Sequence, residues 1–224
     1  MQFGKSPLFR DAVAVSKPLV FFLCLLPLAH LGWDVVHNTL GTDPVAQLEH
    51  RTGDWSLRLL LATLAITPLR KISGWNKATR YRRMLGLFAF FYISVHLGIY
   101  LVIDLGGFWS QLLGEIVKRP YITVGFGAWV LLIPLALTST KAMMRRLGRR
   151  WQPLHRLVYP AAFLGVVHFM WLVKADKREP SIYLAIFLVL MLWRLPQLAA
   201  LPKMLRRAER PGPQQSRAGL SNDG

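Results

Sequence analysis

The sequence predicts an all-α integral membrane protein, a bundle of six transmembrane helices whose two termini both lie in the cytoplasm. Three observations support this fold class. Hydrophobic residues make up 53% of the 224-residue chain, more than a soluble domain usually carries. Six apolar runs are each long enough to cross a hydrocarbon core of about 30 Å. Basic residues collect in alternate connectors, as the positive-inside rule requires.

The predicted spans cover 15–33, 56–72, 84–104, 120–139, 153–173 and 181–198. A basic segment precedes the first run, as in a signal peptide, but no small-residue cleavage site follows, so we expect a retained anchor. The end of the chain is polar and rich in Pro, Gly, Ser and Gln, which favours disorder. The predicted organisation is a cytoplasmic segment 1–14, a six-helix transmembrane domain 15–198 and a cytoplasmic disordered tail 199–224.

Lysine and arginine counts give the predicted orientation. The N-terminal segment, the connectors 70–83 and 140–152 and the tail from Arg194 hold 20 of these residues, whereas the other three connectors hold six. Both termini are therefore expected in the cytoplasm, and the third and fifth helices run parallel. The net charge of +17 reflects this topology and not nucleic-acid binding. The single cysteine, Cys24, excludes a disulfide framework within one chain.

Two histidines lie at similar depth in the third and fifth predicted helices. At a rise of 1.5 Å per residue, His96 is about 3 Å and His168 about 7–8 Å to the outer side of its helix centre. Two imidazoles on neighbouring helices can bind one haem iron from both faces, and neutral ligands avoid burying a charge. The alternative is that each ring only hydrogen-bonds to a Ser, Thr or carbonyl group of a neighbouring helix.

A third histidine, His155, is about 20 Å inward of His168 and does not share its face in an ideal helix. At the corresponding depth of the third helix the chain offers Arg82 and Arg83 instead of a histidine. The sequence therefore supports one complete histidine pair. It leaves His155 open as a ligand or as a residue at the point of electron entry.

Arg58 lies near the outer start of the second predicted helix, where it is either a partner for haem propionates or a snorkelling side chain. On the first helix, His30, Asp34 and His37 share one face. That face suits either a metal ion at the outer interface or a polar helix end in contact with headgroup water.

Several stretches carry a family resemblance that covers nearly the whole membrane region. They are DPVAQLEHRTG, LLATLAITPLR, RRMLGL, KRPYITVGFGAW, LALTSTKAM and GRRWQPLHRLVY. With His96, His155 and His168 on its third and fifth helices, the chain resembles the ferric-reductase-like transmembrane family. Within that family it is most similar to the haem-binding membrane subunits of bacterial periplasmic methionine sulfoxide reductase systems.

The resemblance implies a b-type haem with His96 and His168 as the axial ligands of its iron, while His155 matches a third family histidine. One haem is expected, because Arg82 and Arg83 depart from the two-haem pattern. The resemblance also implies FMN, for which no stretch reads as a binding site. The implied function is electron transfer across the bacterial inner membrane to a periplasmic molybdopterin-containing reductase that repairs oxidised envelope proteins. The implied donor is a cytoplasmic flavin reductase or the quinone pool.

We expect an electron-transfer subunit, because no constellation for bond-making chemistry is recognised. Apart from redox partners, the expected contacts are with membrane lipid and not with nucleic acid. The alternative function is a small membrane transporter or proton-relay protein that uses the buried histidines. Transporters commonly contain internal repeats, and we find none between 1–104 and 120–198. A structural scaffold is a third alternative, which would not require matched depths of His96 and His168.

Overall fold

The computed structural model describes residues 7–106, 114 and 118–194, with side chains described from Ser16 onward. The helices are α1 Pro7–Val36, α2 Pro44–Ser73, α3 Thr79–Ile99, α4 Pro120–Leu137, α5 Lys141–Leu147, α6 Trp151–His155, α7 Val158–Leu172 and α8 Arg178–Leu192. Short 3₁₀ turns cover Asn76–Ala78 and Gly148–Arg150, and a π-helical turn covers Tyr100–Asp104. Within the described residues the all-α prediction is confirmed. The predicted tail 199–224 and residues 1–6 of the predicted N-terminal segment lie outside them.

Two antiparallel helix pairs form the centre of the protein. Helix α2 packs along α3, α4 packs along α7, and α3 joins the two pairs through contacts with α4. Small and fully buried residues, Ala89, Ala161 and Ala162, lie in this core beside the fully buried Leu64. Small side chains let helix backbones approach closely, which is how helices associate within a membrane.

The outer surface is that of a membrane protein. Three described stretches are long and apolar enough to cross a membrane, namely Ser16–Val36, Asn76–Asp104 and Pro120–Leu137. Helix α7 is apolar as well but has 15 residues. Large apolar side chains are exposed along α1 and α8, where hydrocarbon and not water is the favourable neighbour. The count of six spans and the cytoplasmic placement of both termini remain predictions.

Helix α2 begins twelve residues earlier than the predicted span 56–72, so the stretch DPVAQLEHRTG is mostly helical and not a connector. The Asp43 carboxylate accepts a hydrogen bond from the Ala46 N–H at 3.0 Å, and Pro44 occupies the first helical position. Both features start a helix, whatever the polarity of the residues that follow. The helix ends at Gly74, whose φ of 67° is in the left-handed region that glycine adopts without strain. Three helical turns therefore extend α2 beyond its predicted span, toward the predicted outer side.

The predicted fifth span 153–173 is interrupted, because α6 ends at His155 and α7 begins at Val158. Pro160 lacks an N–H, and its ring excludes the carbonyl four residues earlier from a regular helical bond. That carbonyl, on Arg156, accepts instead from the Tyr159 N–H at 3.0 Å. The proline thus separates His155 from the helix that carries His168.

Tyr92 links α3 to the middle of α1. Its hydroxyl donates to the Cys24 carbonyl at 2.7 Å and accepts from the Leu28 N–H at 3.2 Å. In an unbroken helix these two backbone groups bond to each other. The adjacent Pro27 disturbs this turn of α1, and the Tyr92 hydroxyl satisfies both groups while itself remaining 1% exposed.

We expect Tyr92→Phe to lower the free energy of unfolding by about 1–3 kcal/mol. The substitution removes the buried hydroxyl that hydrogen-bonds to the Cys24 carbonyl and to the Leu28 N–H. The measurement is thermal unfolding of the purified protein in detergent. The control is Tyr81→Phe, which removes a half-buried bond to the Ser16 hydroxyl and should cost less. An equal loss in both variants would contradict the bridging role of Tyr92.

Candidate functional site

His96 on α3 and His168 on α7 lie next to each other across the two helix pairs. Their ring centroids are 6.2 Å apart, and the ring planes are inclined at 77°. Both rings line a cavity of about 220 Å³ between α2, α3, α4 and α7. The structure therefore brings together the two histidines whose matched depth the sequence indicated.

This separation suits two ligands of one metal ion. A metal–imidazole bond is about 2 Å long, and each ring centroid lies roughly 1 Å behind the bonding nitrogen. Imidazoles that bind one iron from opposite faces should therefore have centroids roughly 6 Å apart. The observed 6.2 Å agrees with this spacing, so His96 and His168 fit the axial positions of a haem.

Each histidine is oriented by a backbone carbonyl of the neighbouring helix. The Nδ1 of His96 lies 2.9 Å from the Glu49 carbonyl oxygen, and the Nδ1 of His168 lies 2.7 Å from that of Tyr121. A carbonyl oxygen only accepts, so Nδ1 is the protonated nitrogen in both rings. The lone pair on Nε2 remains for a metal, which is the usual arrangement around a metal-binding histidine.

The two arrangements repeat within the chain. In each arrangement, a histidine ring contacts the backbone carbonyl of the residue 47 positions earlier. The ring also lies against the glycine that follows that carbonyl by one helical turn. Every residue of the second set comes 72 positions after its counterpart: Glu49 and Tyr121, Gly53 and Gly125, His96 and His168. The sequence comparison of 1–104 with 120–198 missed this repeat, which is carried by a few residues at an offset of 72 positions. Helix pair α4 and α7 thus repeats the histidine-holding contacts of α2 and α3.

The cavity is apolar along its wall and polar at one end. Leu57, Leu60, Ile93 and Leu132 are among its wall residues, whereas Glu49, His50, Asp104 and Arg119 lie toward the ends of the helices. Glu49 precedes the predicted span 56–72, and its Oε1 is buried without a hydrogen-bond partner among the described residues. Burial raises the pKa of Glu49 to about 7, and the nearby Asp104 and Asp43 carboxylates raise it as well. A charged carboxylate is therefore disfavoured beside the histidines.

Arg58 does not line this cavity. Its Nε donates to the Tyr183 hydroxyl at 2.6 Å, and its Nη2 lies 3.5 Å from an Asp54 oxygen. The guanidinium also stacks over the Trp55 ring at 5.2 Å. These contacts hold Arg58 toward α8, whereas Arg119 is the arginine that lines the cavity.

His155 is outside the cavity, at the end of the bundle where α7 begins. Its ring stacks on Trp151 with centroids 3.9 Å apart, and its Nδ1 lies 3.2 Å from the Trp151 carbonyl oxygen. Arg82 is close enough to affect His155 electrostatically. The structure therefore keeps His155 apart from the pair formed by His96 and His168.

The polar face at the end of α1 binds the start of α2. Asp34 forms an ion pair with Arg51, lies 3.1 Å from the His30 ring and accepts from the Thr39 hydroxyl at 2.9 Å. His37 stacks instead on Trp33. In the part of the chain that the structure describes, no group of three or more His, Cys, Asp and Glu residues is arranged to hold a metal ion.

Sequence reasoning missed the residues that orient the histidines. Main-chain acceptors such as those of Glu49 and Tyr121 have no side-chain signature, so no motif identifies them. Gly53 and Gly125 offered a signal, because each precedes its histidine by the same number of residues. Arg119, just before the proline that starts α4, was considered as a connector charge and as part of a family motif, but not as a residue of the site.

The chain is similar to known membrane proteins. Residues 52–166 match the ferric reductase like transmembrane component family. A Xanthomonas axonopodis pv. citri protein named "Protein-methionine-sulfoxide reductase heme-binding subunit MsrQ" is 55% identical over 207 residues, which cover 89% of this chain and 95% of the relative. A Rhodospirillum rubrum protein of the same name is 49% identical over 187 residues, covering 83% and 90%. The chain therefore belongs to the ferric-reductase-like transmembrane family and is a homologue of the MsrQ proteins.

Proposed function

We propose that this protein is a haem b subunit that transfers electrons across the bacterial inner membrane to a periplasmic molybdopterin-dependent methionine sulfoxide reductase. The observation that carries this proposal is the pair His96 and His168, two neutral imidazoles at the spacing of opposite iron ligands. The names of the relatives support both the haem and the association with a methionine sulfoxide reductase.

When bound, haem supplies one-electron redox chemistry. The contributions of this chain are ligation, orientation and exclusion of water. His96 and His168 would hold the iron through Nε2, while the Glu49 and Tyr121 carbonyls hold the two Nδ1–H groups. The apolar cavity wall keeps the surroundings dry and thereby contributes to the reduction potential.

The electron-accepting partner docks at the polar end of the cavity. His50, Asp104 and Arg119 line that end, which the positive-inside rule places on the periplasmic side. Most of the predicted connector 105–119 is outside the described residues, so the start of α2 provides the described part of this surface.

A cationic cluster at the opposite end, consisting of Arg82, Arg194 and Arg70, fits the phosphate of FMN. Arg194 is 3% exposed and donates to the Tyr159 hydroxyl at 2.6 Å and to the Leu64 carbonyl, while its Nε is buried without a partner among the described residues. Arg82 is exposed and close enough to repel both Arg194 and Arg70. No carboxylate is among the groups that act on Arg82. Neighbouring guanidinium groups without a carboxylate favour a bound anion, and arginine suits phosphate. A flavin reductase or the quinone pool would donate electrons at this end.

The alternative function, a transporter or proton relay, requires histidines that exchange protons at both ring nitrogens. Here carbonyl groups hold Nδ1 of His96 and His168 in the protonated state, which favours metal ligation. A protein that is colourless after haem-sufficient expression would instead favour the relay.

We expect His96→Ala and His168→Ala each to remove one axial bond and to leave a five-coordinate or lost haem. His155→Ala should retain most of the haem, because His155 does not line the cavity. All three variants should insert normally, since the apolar helices and basic connectors are unchanged. The measurement is haem per protein and the reduced absorption spectrum at equal expression. Haem kept in His168→Ala but lost in His155→Ala would overturn the assignment.

We expect a cysteine-directed cross-linker on His50→Cys to capture the periplasmic reductase, because His50 is exposed at the polar end of the cavity. The matched control is Arg146→Cys, an exposed position in α5 on the predicted cytoplasmic side. Capture from Arg146→Cys alone would show that the inferred direction of electron flow is wrong.

We expect Arg82→Gln to weaken FMN binding about tenfold or more, because a charge-assisted hydrogen bond is lost. Riboflavin, which lacks the phosphate, should bind both proteins equally weakly. Arg80→Gln is the matched control, since it removes the same charge from an exposed residue two positions away. The measurement is a fluorescence titration of the purified protein. Equal FMN affinity in the two variants would place the flavin elsewhere.

A further inference from the structure

Two glycines lie against the two histidines, and their missing side chains leave the space that the imidazole rings occupy. A Cβ atom built on Gly125 would lie 2.7 Å from His168 Nδ1 and 2.9 Å from its Cε1. A Cβ atom on Gly53 would lie 3.4 Å from Nδ1 and Cε1 of His96. Favourable contacts between such atoms are about 3.5–4.0 Å, so the contact at Gly125 is a clash, whereas the contact at Gly53 is at the near edge of ordinary contact.

The position of these glycines follows from helix geometry. In an α-helix a carbonyl accepts from the N–H four residues later, and the oxygen has a second lone pair. Gly53 is four residues after Glu49, and Gly125 is four residues after Tyr121. An imidazole that bonds to the same carbonyl must therefore approach beside residue i+4. A side chain at that residue would therefore lie close to the ring.

We propose that Gly53 and Gly125 are positioning residues for the two iron ligands, because each lets an imidazole reach a helix carbonyl that fixes its orientation. The proposal rests on the proposed haem site. It assigns unequal roles to the two glycines, since the contact at Gly125 is 0.7 Å closer than the contact at Gly53. His168 therefore depends on its glycine more strongly than His96 does.

The test compares Gly125→Ala, Gly53→Ala and Gly127→Ala in the full-length protein purified after haem-sufficient expression. Gly127 is the matched control, because it is on the same helix and its Cβ would make only an ordinary contact of 3.6 Å with Leu164. The readouts are the ratio of six-coordinate low-spin to five-coordinate high-spin haem and the midpoint potential. Neither readout responds to a general loss of stability in protein that remains folded.

We expect Gly125→Ala to lower the six- to five-coordinate ratio about tenfold and to shift the midpoint potential, because His168 must leave its preferred rotamer. Gly53→Ala should lower the ratio by about threefold or less, and Gly127→Ala should leave it unchanged. Identical spectra and potentials for Gly125→Ala and Gly127→Ala would overturn the proposal. A wild-type protein without haem would instead contradict the proposed function.

A second variant covers the case in which Gly125→Ala does not accumulate. The double variant Gly125→Ala/His168→Gly lacks the ring that the new methyl group would meet. It should therefore accumulate to the same level as the single variant His168→Gly. Added imidazole should restore six-coordinate haem in His168→Gly but should bind about tenfold more weakly in the double variant. Failure of the double variant to accumulate, or equal imidazole affinity in both proteins, would overturn the proposal.

Discussion

The arrangement of the central helices depends on one constraint, which is that an imidazole buried in an apolar bundle needs a partner for each ring nitrogen. A neutral ring has one N–H and one lone pair, and leaving either unsatisfied in a low-dielectric interior is costly. The carbonyls of Glu49 and Tyr121 satisfy the N–H groups of His96 and His168. The lone pair of each ring then remains for another partner, and the proposed function assigns both to one haem iron. Helices α2 and α4 are therefore as much a part of the site as the helices that carry the histidines.

This constraint also explains why the helices pair as they do. A carbonyl in the first turns of α2 can meet a ring near the end of α3 only if the two helices are antiparallel and closely packed. The same holds for α4 and α7, and small buried residues such as Ala89 and Ala161 allow the close approach. The early start of α2 has a direct consequence here, because Glu49 lies in the helical turns that precede the predicted span 56–72.

The sequence was sufficient to predict the helical fold class and the proximity of His96 to His168. Both predictions depend on the length of apolar runs and on residue depth, which follow from simple helix geometry. It was insufficient for features that depend on the backbone. The Asp43 cap extends α2 through polar residues that a hydropathy pattern assigns to a connector. Pro160 interrupts the helix between His155 and His168, because the Arg156 carbonyl accepts from the Tyr159 N–H instead of from a residue one full turn later. The sequence was also insufficient for side-chain contacts between distant residues, such as the bond that Arg58 donates to the Tyr183 hydroxyl 125 positions away.

The 72-residue repeat accounts for the difference between the two ends of the bundle. At the cavity end each element has its counterpart, so two neutral imidazoles face each other. At the opposite end the counterpart of His155 is Arg83, and Arg82 is adjacent. A guanidinium group has no lone pair to offer a metal and carries a permanent charge. Among the described residues, His155 therefore has no histidine as its counterpart in the repeat. Arg82, next to Arg83, is close enough to Arg194 to act on it electrostatically. That end therefore concentrates positive charge, which suits the anion that the proposed function assigns to it.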